Sequence, residues 1–358
     1  MSQSQWIFIR PNDVWLFRDN KPFSAQQNFV ARGQFPPNPQ VMTGAVRTHA
    51  YYQNPQHPIV KQKDMDELAL QGPYVARMDA AGQLERFFPA PLDLLYDADN
   101  EVFSTLQATG SADFASNAPL ESWKPLQIPK EDERDFDLKE AEGWLSETQF
   151  SAYLAGNLER GKLTPSSELF ISEERVGIGL DKSRKANIES LFYHAEFTRP
   201  YDGVGLLIEV RYKEALFDES GSMKLGGESR VGHYQQVSAS ESLIKAQSGN
   251  LKVILLTAAY FSGGWQPSSG DWSQLVGKGK LVSAALGKPQ AISGWDMLAG
   301  KPKPLRHFVP AGSVFYFEDA EWQGKAFSEN VGDALYAQMG FGAVAVTSWQ
   351  LQSPNTIS

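Results

Sequence analysis

The chain has 358 residues, 42% hydrophobic and 12% aromatic; it is long enough to bury more than one core, and two domains are expected. Its 33 basic and 42 acidic side chains give a formal charge of −9, which argues against indiscriminate DNA binding but permits a focused basic groove. The absence of cysteine excludes disulfides, thiolate metal sites and cysteine nucleophiles, and no apolar run approaches a membrane span, so a soluble, cytoplasmic protein without membrane contact is expected.

In chain order, Trp6 and Phe8 with Val14-Trp15-Leu16-Phe17 read as one strand, interrupted by a turn at Pro11-Asn12. Arg18 to Phe23 leaves it as a tight turn. Asn38 caps a helix whose first residue is Pro39. This helix is predicted to run to about Tyr52, with Val41, Ala45, Thr48 and Tyr52 on its buried stripe and Arg47 off it. Strand followed by helix is how a ferredoxin-like βαββαβ unit begins. Residues 60–170 are less regular, with a hairpin around Asp79-Ala80-Ala81-Gly82 and an acidic run from Glu131 to Glu147 that reads as a solvated face. Val204–Val210 and Val253–Ala258 are buried strands, as are Val314–Phe317 and Ala343–Trp349; a domain boundary is placed near Pro200.

Familiar chemical motifs fail in detail. Gly156-Asn157-Leu158-Glu159-Arg160-Gly161-Lys162-Leu163 approximates a phosphate loop, but Leu163 lacks the hydroxyl that would hold Mg²⁺. Gly340-Phe341-Gly342 precedes a strand rather than a helix, unlike a dinucleotide fingerprint, although such a turn can present amides to a phosphate. The five histidines (His49, His57, His194, His233, His307) show no metal-ligand spacing. No cofactor and no metal are therefore expected. His49 and His307 form an acid–base pair only if the fold brings them together, which would make the protein an endoribonuclease.

The stretch from Trp272 to Tyr316 runs against the acidic background. It carries Lys278, Lys280, Lys288, Lys301, Lys303 and Arg306 against the single acid Asp296, in a backbone punctuated by proline and glycine. Cations interleaved with rings such as Trp295 and Phe308 suit a single-stranded polyanion.

Taken in order, Asp13-Val14-Trp15-Leu16-Phe17-Arg18-Asp19, Phe35-Pro36-Pro37-Asn38-Pro39, Gly44-Ala45-Val46-Arg47, Arg175-Val176-Gly177-Ile178-Gly179-Leu180-Asp181 with Arg184, Gly226-Gly227-Glu228-Ser229-Arg230, Leu286-Gly287-Lys288-Pro289 and Lys301-Pro302-Lys303-Pro304-Leu305-Arg306 span most of the chain. This set resembles the third subunit of the Cmr (type III-B) CRISPR effector complex, in the repeat-associated mysterious protein superfamily. The resemblance implies an α+β chain of two tandem ferredoxin-like domains, divided as 1–200, with an irregular insertion over about 60–170, and 201–358, with a basic loop insertion. It further implies a non-catalytic subunit that holds the 5′ repeat-derived tag of the CRISPR RNA (crRNA) and touches the large polymerase/cyclase-like subunit and a backbone subunit. The RNA-binding residues expected on this footing are Arg175, Arg184, Arg230, Lys288, Lys303 and Arg306, then Arg18 and Arg47, with the turn at Gly340 and Gly342. Arginine suits such a site because its planar fork both pairs with phosphate and stacks on bases. For Arg175 and Arg230 the neighbouring Glu173, Glu174 and Glu228 offer internal salt bridges instead.

Overall fold

The computed structural model describes residues 2–18, 30–60, 66–109, 123–129, 136–180, 187–238, 242–296 and 300–351. Within them the chain is α+β, with mainly antiparallel sheets. No helix among the described residues is long and apolar enough to cross a membrane. Two units interleave along the chain: Met1–Leu84, Ser166–Ala239 and Ala291–Arg306 form the first, and Glu85–Pro165, Ser240–Gln290 and His307–Ser358 the second. The expected boundary near Pro200 falls inside the first unit. There the chain turns through Tyr201-Asp202-Gly203 without a break, Val204 N–H donating to the Tyr201 carbonyl at 2.9 Å. Gly203 has φ +78° and packs so closely that a Cβ would lie 2.5 Å from the Met78 carbonyl oxygen.

The first unit contains β1 (Gln3–Pro11), α1 (Pro39–Gln53), β2 (Ala69–Met78), β3 (Phe170–Leu180), β4 (Asn187–Pro200), β5 (Val204–Tyr212), β6 (Ser220–Lys224) and β7 (Val231–Val237). Five of these strands lie in the order β2-β5-β1-β7-β6, and β3 pairs with β4 in a separate sheet. Ile7 of β1 sits opposite Ile208 on one side and Gln236 on the other. One face of this sheet, with Ile7, Ile9, Leu206, Ile208 and Val210, packs on Met42, Val46 and Ala50 of α1. The expected strand does not continue through Val14–Phe17. That segment leaves the sheet and bridges to β4 instead, with Trp15 and Thr198 exchanging backbone hydrogen bonds of 2.9 and 2.8 Å.

Helix α1 starts at Pro39 as predicted, with Asn38 extended, but the Asn38 side chain makes no capping bond. Its buried stripe is Met42, Thr43, Ala45, Val46, His49 and Ala50. That stripe is rotated from the expected one because the row Met42, Val46, Ala50 supplies the larger apolar surface. Tyr52 lies roughly 200° round from Ala50 and is 61% exposed.

The second unit contains α2 (Glu147–Leu154), β8 (Ser248–Leu255), α3 (Ser273–Val276), β9 (Lys280–Ala285), β10 (Val314–Glu321), α4 (Tyr336–Met339) and β11 (Val344–Ser348). Its four-stranded sheet has the order β9-β10-β8-β11, with α3 between β8 and β9 in the chain and α4 between β10 and β11. The first unit places β1, β2, β5 and β7 in the same spatial permutation, with β6 entering where a second helix would stand. Helix α2 begins with a full capping box between Ser146 and Gln149. The core is aromatic: Phe261, Trp272, Phe315, Phe317 and Phe327 pack together, Trp272 stacking on Phe327 at 5.4 Å.

Beside that core lies a buried polar quartet. Asp93, fully buried, accepts from Tyr153 Oη at 2.6 Å, from Tyr316 Oη at 2.5 Å and from Lys252 Nζ at 3.1 Å. The Lys252 ammonium also sits 4.1 Å from the centre of the Tyr153 ring. Burial, and then the Asp93 charge, push both phenols well above their ordinary pKa. Both carboxylate oxygens of Asp93 accept hydrogen bonds, and such bonding is the condition for a buried ion pair to be tolerated. Asp93→Asn keeps the shape and leaves Lys252 buried without a counter-charge. It is expected to destabilise the fold by about 3–5 kcal/mol, read by urea unfolding; a change below about 1 kcal/mol would show that the quartet is dispensable.

Candidate nucleic-acid interface

Three of the sequence motifs that lie far apart in the chain meet in the first unit. Asp13 follows β1, Arg175 is on β3, and Arg230 closes the turn between β6 and β7. The antiparallel register places Glu173 opposite Phe197 and Ile171 opposite Arg199, so Arg199 and Glu173 are diagonal neighbours on one face, as are Arg175 and Phe197. Asp13 accepts from Arg175 Nη2 at 3.1 Å and from Arg199 Nη1 at 2.8 Å. Glu173 accepts from Arg175 Nε at 2.6 Å and from Arg199 Nε at 2.7 Å. Two arginines and two carboxylates thus close a ring of charge-assisted hydrogen bonds.

Arg230 joins at the margin, with Nη1 3.9 Å from Asp13 and Nη2 3.5 Å from Glu228. Its Nε is buried without a partner. The guanidinium carbons of Arg175 and Arg230 stand 4.9 and 4.8 Å from the centre of the Phe197 ring, within cation–π range. Arg230 is delivered by a two-residue turn in which Glu228 and Ser229 both hold positive φ, 53° and 55°, while Arg230 N–H donates to the Gly227 carbonyl at 3.2 Å. This is the backbone form in which glycine or asparagine normally sits. Gly227 N–H donates to the Leu16 carbonyl at 2.7 Å, tying the turn to the segment after Asp13.

The cluster holds three arginines and three carboxylates, so it is neutral while its guanidinium planes are fixed and a quarter or more exposed. Both internal salt bridging and surface presentation therefore hold for Arg175 and Arg230. Arg199 was not singled out in the sequence. Its signal was the alternation Phe197-Thr198-Arg199 in a strand facing Glu173 and Arg175, which is legible only once the register is known.

The basic stretch divides between the units. In the first, Trp295–Asp296 pairs with Lys301–Pro302 as a short ribbon. Ser293 Oγ donates to the Lys303 carbonyl at 2.7 Å and Lys303 N–H to the Gly294 carbonyl at 2.8 Å. Gln40 Nε2, in the first turn of α1, donates to the Ser293 carbonyl at 3.2 Å and anchors the ribbon. Lys301 is exposed, and Lys303 and Arg306 are half-buried. Lys288, in the second unit, is exposed.

The other expected residues separate by role. Arg47 spends its fork on the backbone, with Nε to the Ile59 carbonyl at 3.0 Å and Nη2 to the Val60 carbonyl at 3.1 Å. It pins the chain leaving α1. Arg18 is exposed and bridges to Gly33. Arg184 lies outside the described residues. Gly340 and Gly342 are buried, and their turn closes on itself: Gly340 ends α4 in the left-handed conformation, and Gly342 N–H donates to the Ala258 carbonyl at 2.8 Å. A Cβ on Gly342 would lie 2.5 Å from the Phe327 backbone. The amides expected to face a phosphate are already used. His49 is buried against Phe217 at 4.5 Å and Tyr234, and burial lowers its pKa; His307 is exposed in the second unit. No group of three or more metal-ligating side chains occurs among the described residues.

The Arg175 guanidinium, and after it Arg199, hold the carboxyls of Asp13 and Glu173 below the usual range. A depressed folded-state pKa adds stability above the unfolded value of about 4, and that contribution disappears as pH falls through the folded value. The difference in thermal midpoint between the wild type and Asp13→Asn should therefore be largest near neutrality and shrink as acid protonates the carboxyl in the folded state. A difference independent of pH would contradict the ring. Separately, Arg47→Lys cannot reproduce the fork to two carbonyls and is expected to cost about 1–3 kcal/mol in urea unfolding without changing RNA affinity; a change in affinity at unchanged stability would place Arg47 at the interface.

Comparison with known proteins follows the same lines. A search of curated proteins finds no match. Among solved structures, the chain is similar to one in "Cryo-EM structure of the Type III-B Cmr-beta bound to cognate target RNA and AMPPnP, state 1", at 15% identity and TM-score 0.48, covering 87% of this chain and 86% of that one. A second, from "Cryo-EM structure of the Type III-B Cmr-beta bound to cognate target RNA", matches at 14% identity and TM-score 0.48 with the same coverage. The family model of the CRISPR-associated protein Cas_Cmr3 matches residues 7–349. The chain belongs to the Cas_Cmr3 family, a subunit family of the type III-B CRISPR effector that its ordered motifs resemble.

Proposed function

We propose that this subunit holds the 5′ repeat-derived tag of the crRNA without cutting it, and that it bridges the large polymerase/cyclase-like subunit to a backbone subunit in the cytoplasm. The observation that carries this reading is the meeting of Asp13, Arg175 and Arg230, from three motifs distant in sequence, around Phe197. Guanidinium groups whose planes are fixed in advance lose little further freedom when they meet a phosphate or an unstacked base. Lys301 on the ribbon, with Lys303 and Arg306 after it, adds net positive charge in the same unit. Because the arginine cluster is neutral, it would supply geometry and selectivity, whereas the lysines would supply the salt-dependent part of the affinity. Two ferredoxin-like cores are part of this proposal, supported by the shared strand permutation of the two sheets.

Non-catalysis fits the position of His49, buried on the inner face of α1 and stacked on Phe217 rather than open to a ribose. The test is a reconstituted effector carrying Arg230→Glu and Arg306→Glu. Guide retention is expected to fall, with the slope of log affinity against log salt reduced by about two; unchanged retention would overturn the site assignment. Labelled repeat RNA incubated with the wild-type chain alone should remain intact, and cleavage lost in His49→Ala or His307→Ala would replace this reading by the endoribonuclease one.

A further inference from the structure

We propose that the C-terminal end of α1 is a second RNA contact in this chain, an aromatic platform formed by Tyr51 and Tyr52 with Lys224 that stacks unpaired bases; it rests on the RNA-holding role proposed above. Among the described residues, three aromatic side chains are strongly exposed, Tyr51 (47%), Tyr52 (61%) and Tyr201, and two of them are adjacent. This is unusual in a chain that buries most of its other rings. Single exposed apolar residues need no explanation, but a paired aromatic patch beside a cation does.

The geometry is fixed rather than loose. The Tyr51 and Tyr52 ring centres lie 5.6 Å apart at 76°, so one ring's edge supports the other. Lys224, at the end of β6, donates from Nζ to Tyr52 Oη at 2.7 Å, and its ammonium is 4.9 Å from the Tyr52 ring centre. A tyrosine so held presents a ring face to solvent with its hydroxyl already bonded, beside an exposed ammonium suited to a phosphate.

The surrounding sequence has the matching charge. From Asn20 to Lys63 there is no aspartate or glutamate in 44 residues, although the average frequency of the chain would place about five there. The same stretch carries Lys21, Arg32, Lys61 and Lys63, besides Arg47, whose guanidinium is held by the Ile59 and Val60 carbonyls. A carboxylate in this segment would repel phosphate, so its absence in a protein of charge −9 favours a polyanion as the ligand of the ring pair within it. Exposed rings beside a cation are the requirements for binding single strands with little sequence preference. A protein partner would be met better by a mixed polar rim than by a stretch purged of one charge sign.

The test uses the full-length chain and fluorescein-labelled oligoadenylate, with double-stranded RNA as comparison. Tyr52→Phe should bind as the wild type does, and Tyr52→Leu, which keeps apolar bulk but no ring, should bind roughly five- to a hundredfold more weakly. Lys224→Ala should reduce the salt slope by about one. In the assembled effector, a photoreactive phenylalanine analogue at position 52 should crosslink to RNA. If the wild type binds the oligonucleotide and Tyr52→Leu binds equally well, the platform is overturned while the RNA-holding role stands. If the position-52 probe captures a protein subunit instead of RNA, the surface is a protein interface. If the wild type binds no RNA and its effector yields no RNA crosslinks, both readings fall together.

Discussion

The ring of hydrogen bonds between Asp13, Arg175, Glu173 and Arg199 is the constraint on which the first unit depends. It ties the segment following β1 to the β3–β4 hairpin, and Arg230 brings in the β6–β7 turn through Phe197. The backbone bonds run the same way: Trp15 pairs with Thr198, and the Leu16 carbonyl receives Gly227 N–H. Three pieces of chain that are far apart in sequence are thereby held as one surface. Exposed ion pairs taken singly contribute little, but a closed network with bidentate guanidinium geometry fixes orientation as well as energy.

That surface resolves an apparent conflict. On the role proposed above, a subunit of charge −9 could not rely on its overall field, which would oppose the approach of RNA. The solution in this fold is to separate two tasks. Guanidinium planes balanced by carboxylates offer shape and directed donors at no net charge, and a short lysine-bearing ribbon anchored by Gln40 restores local attraction. The second unit solves a different problem, with Lys252 and Asp93 kept inside the fold by two tyrosine hydroxyls and a ring face.

Much of this architecture was legible because short-range physics decided it. Pro39 after an extended Asn38 begins α1 as read, and Val204, Val314 and Val344 begin strands where β-branched runs demanded them. What the sequence hid was long-range. The phase of α1 was misread because Tyr52 was counted as apolar, whereas Met42, Val46 and Ala50 face the sheet and leave it outside. The glycines at 340 and 342 read as a phosphate-facing turn, but tertiary contacts with Ala258 and Phe327 consume their backbone. Of the insertion read over about 60–170, residues 85–165 supply part of the second unit, because interleaving is invisible to local composition. Arg199 became significant only when the β3–β4 register set it diagonally across from Glu173. Of the motif residues, Arg175 and Arg230 converge on Asp13, a meeting that periodicity alone does not show.

The most direct measurement is a crosslinking map of the intact effector assembled with a guide whose 5′ tag carries 4-thiouridine. The account predicts adducts on this chain in the first unit, at the peptides containing Arg175, Arg230 and Lys301–Arg306. Tag adducts confined to other subunits, with none on those three peptides, would contradict it.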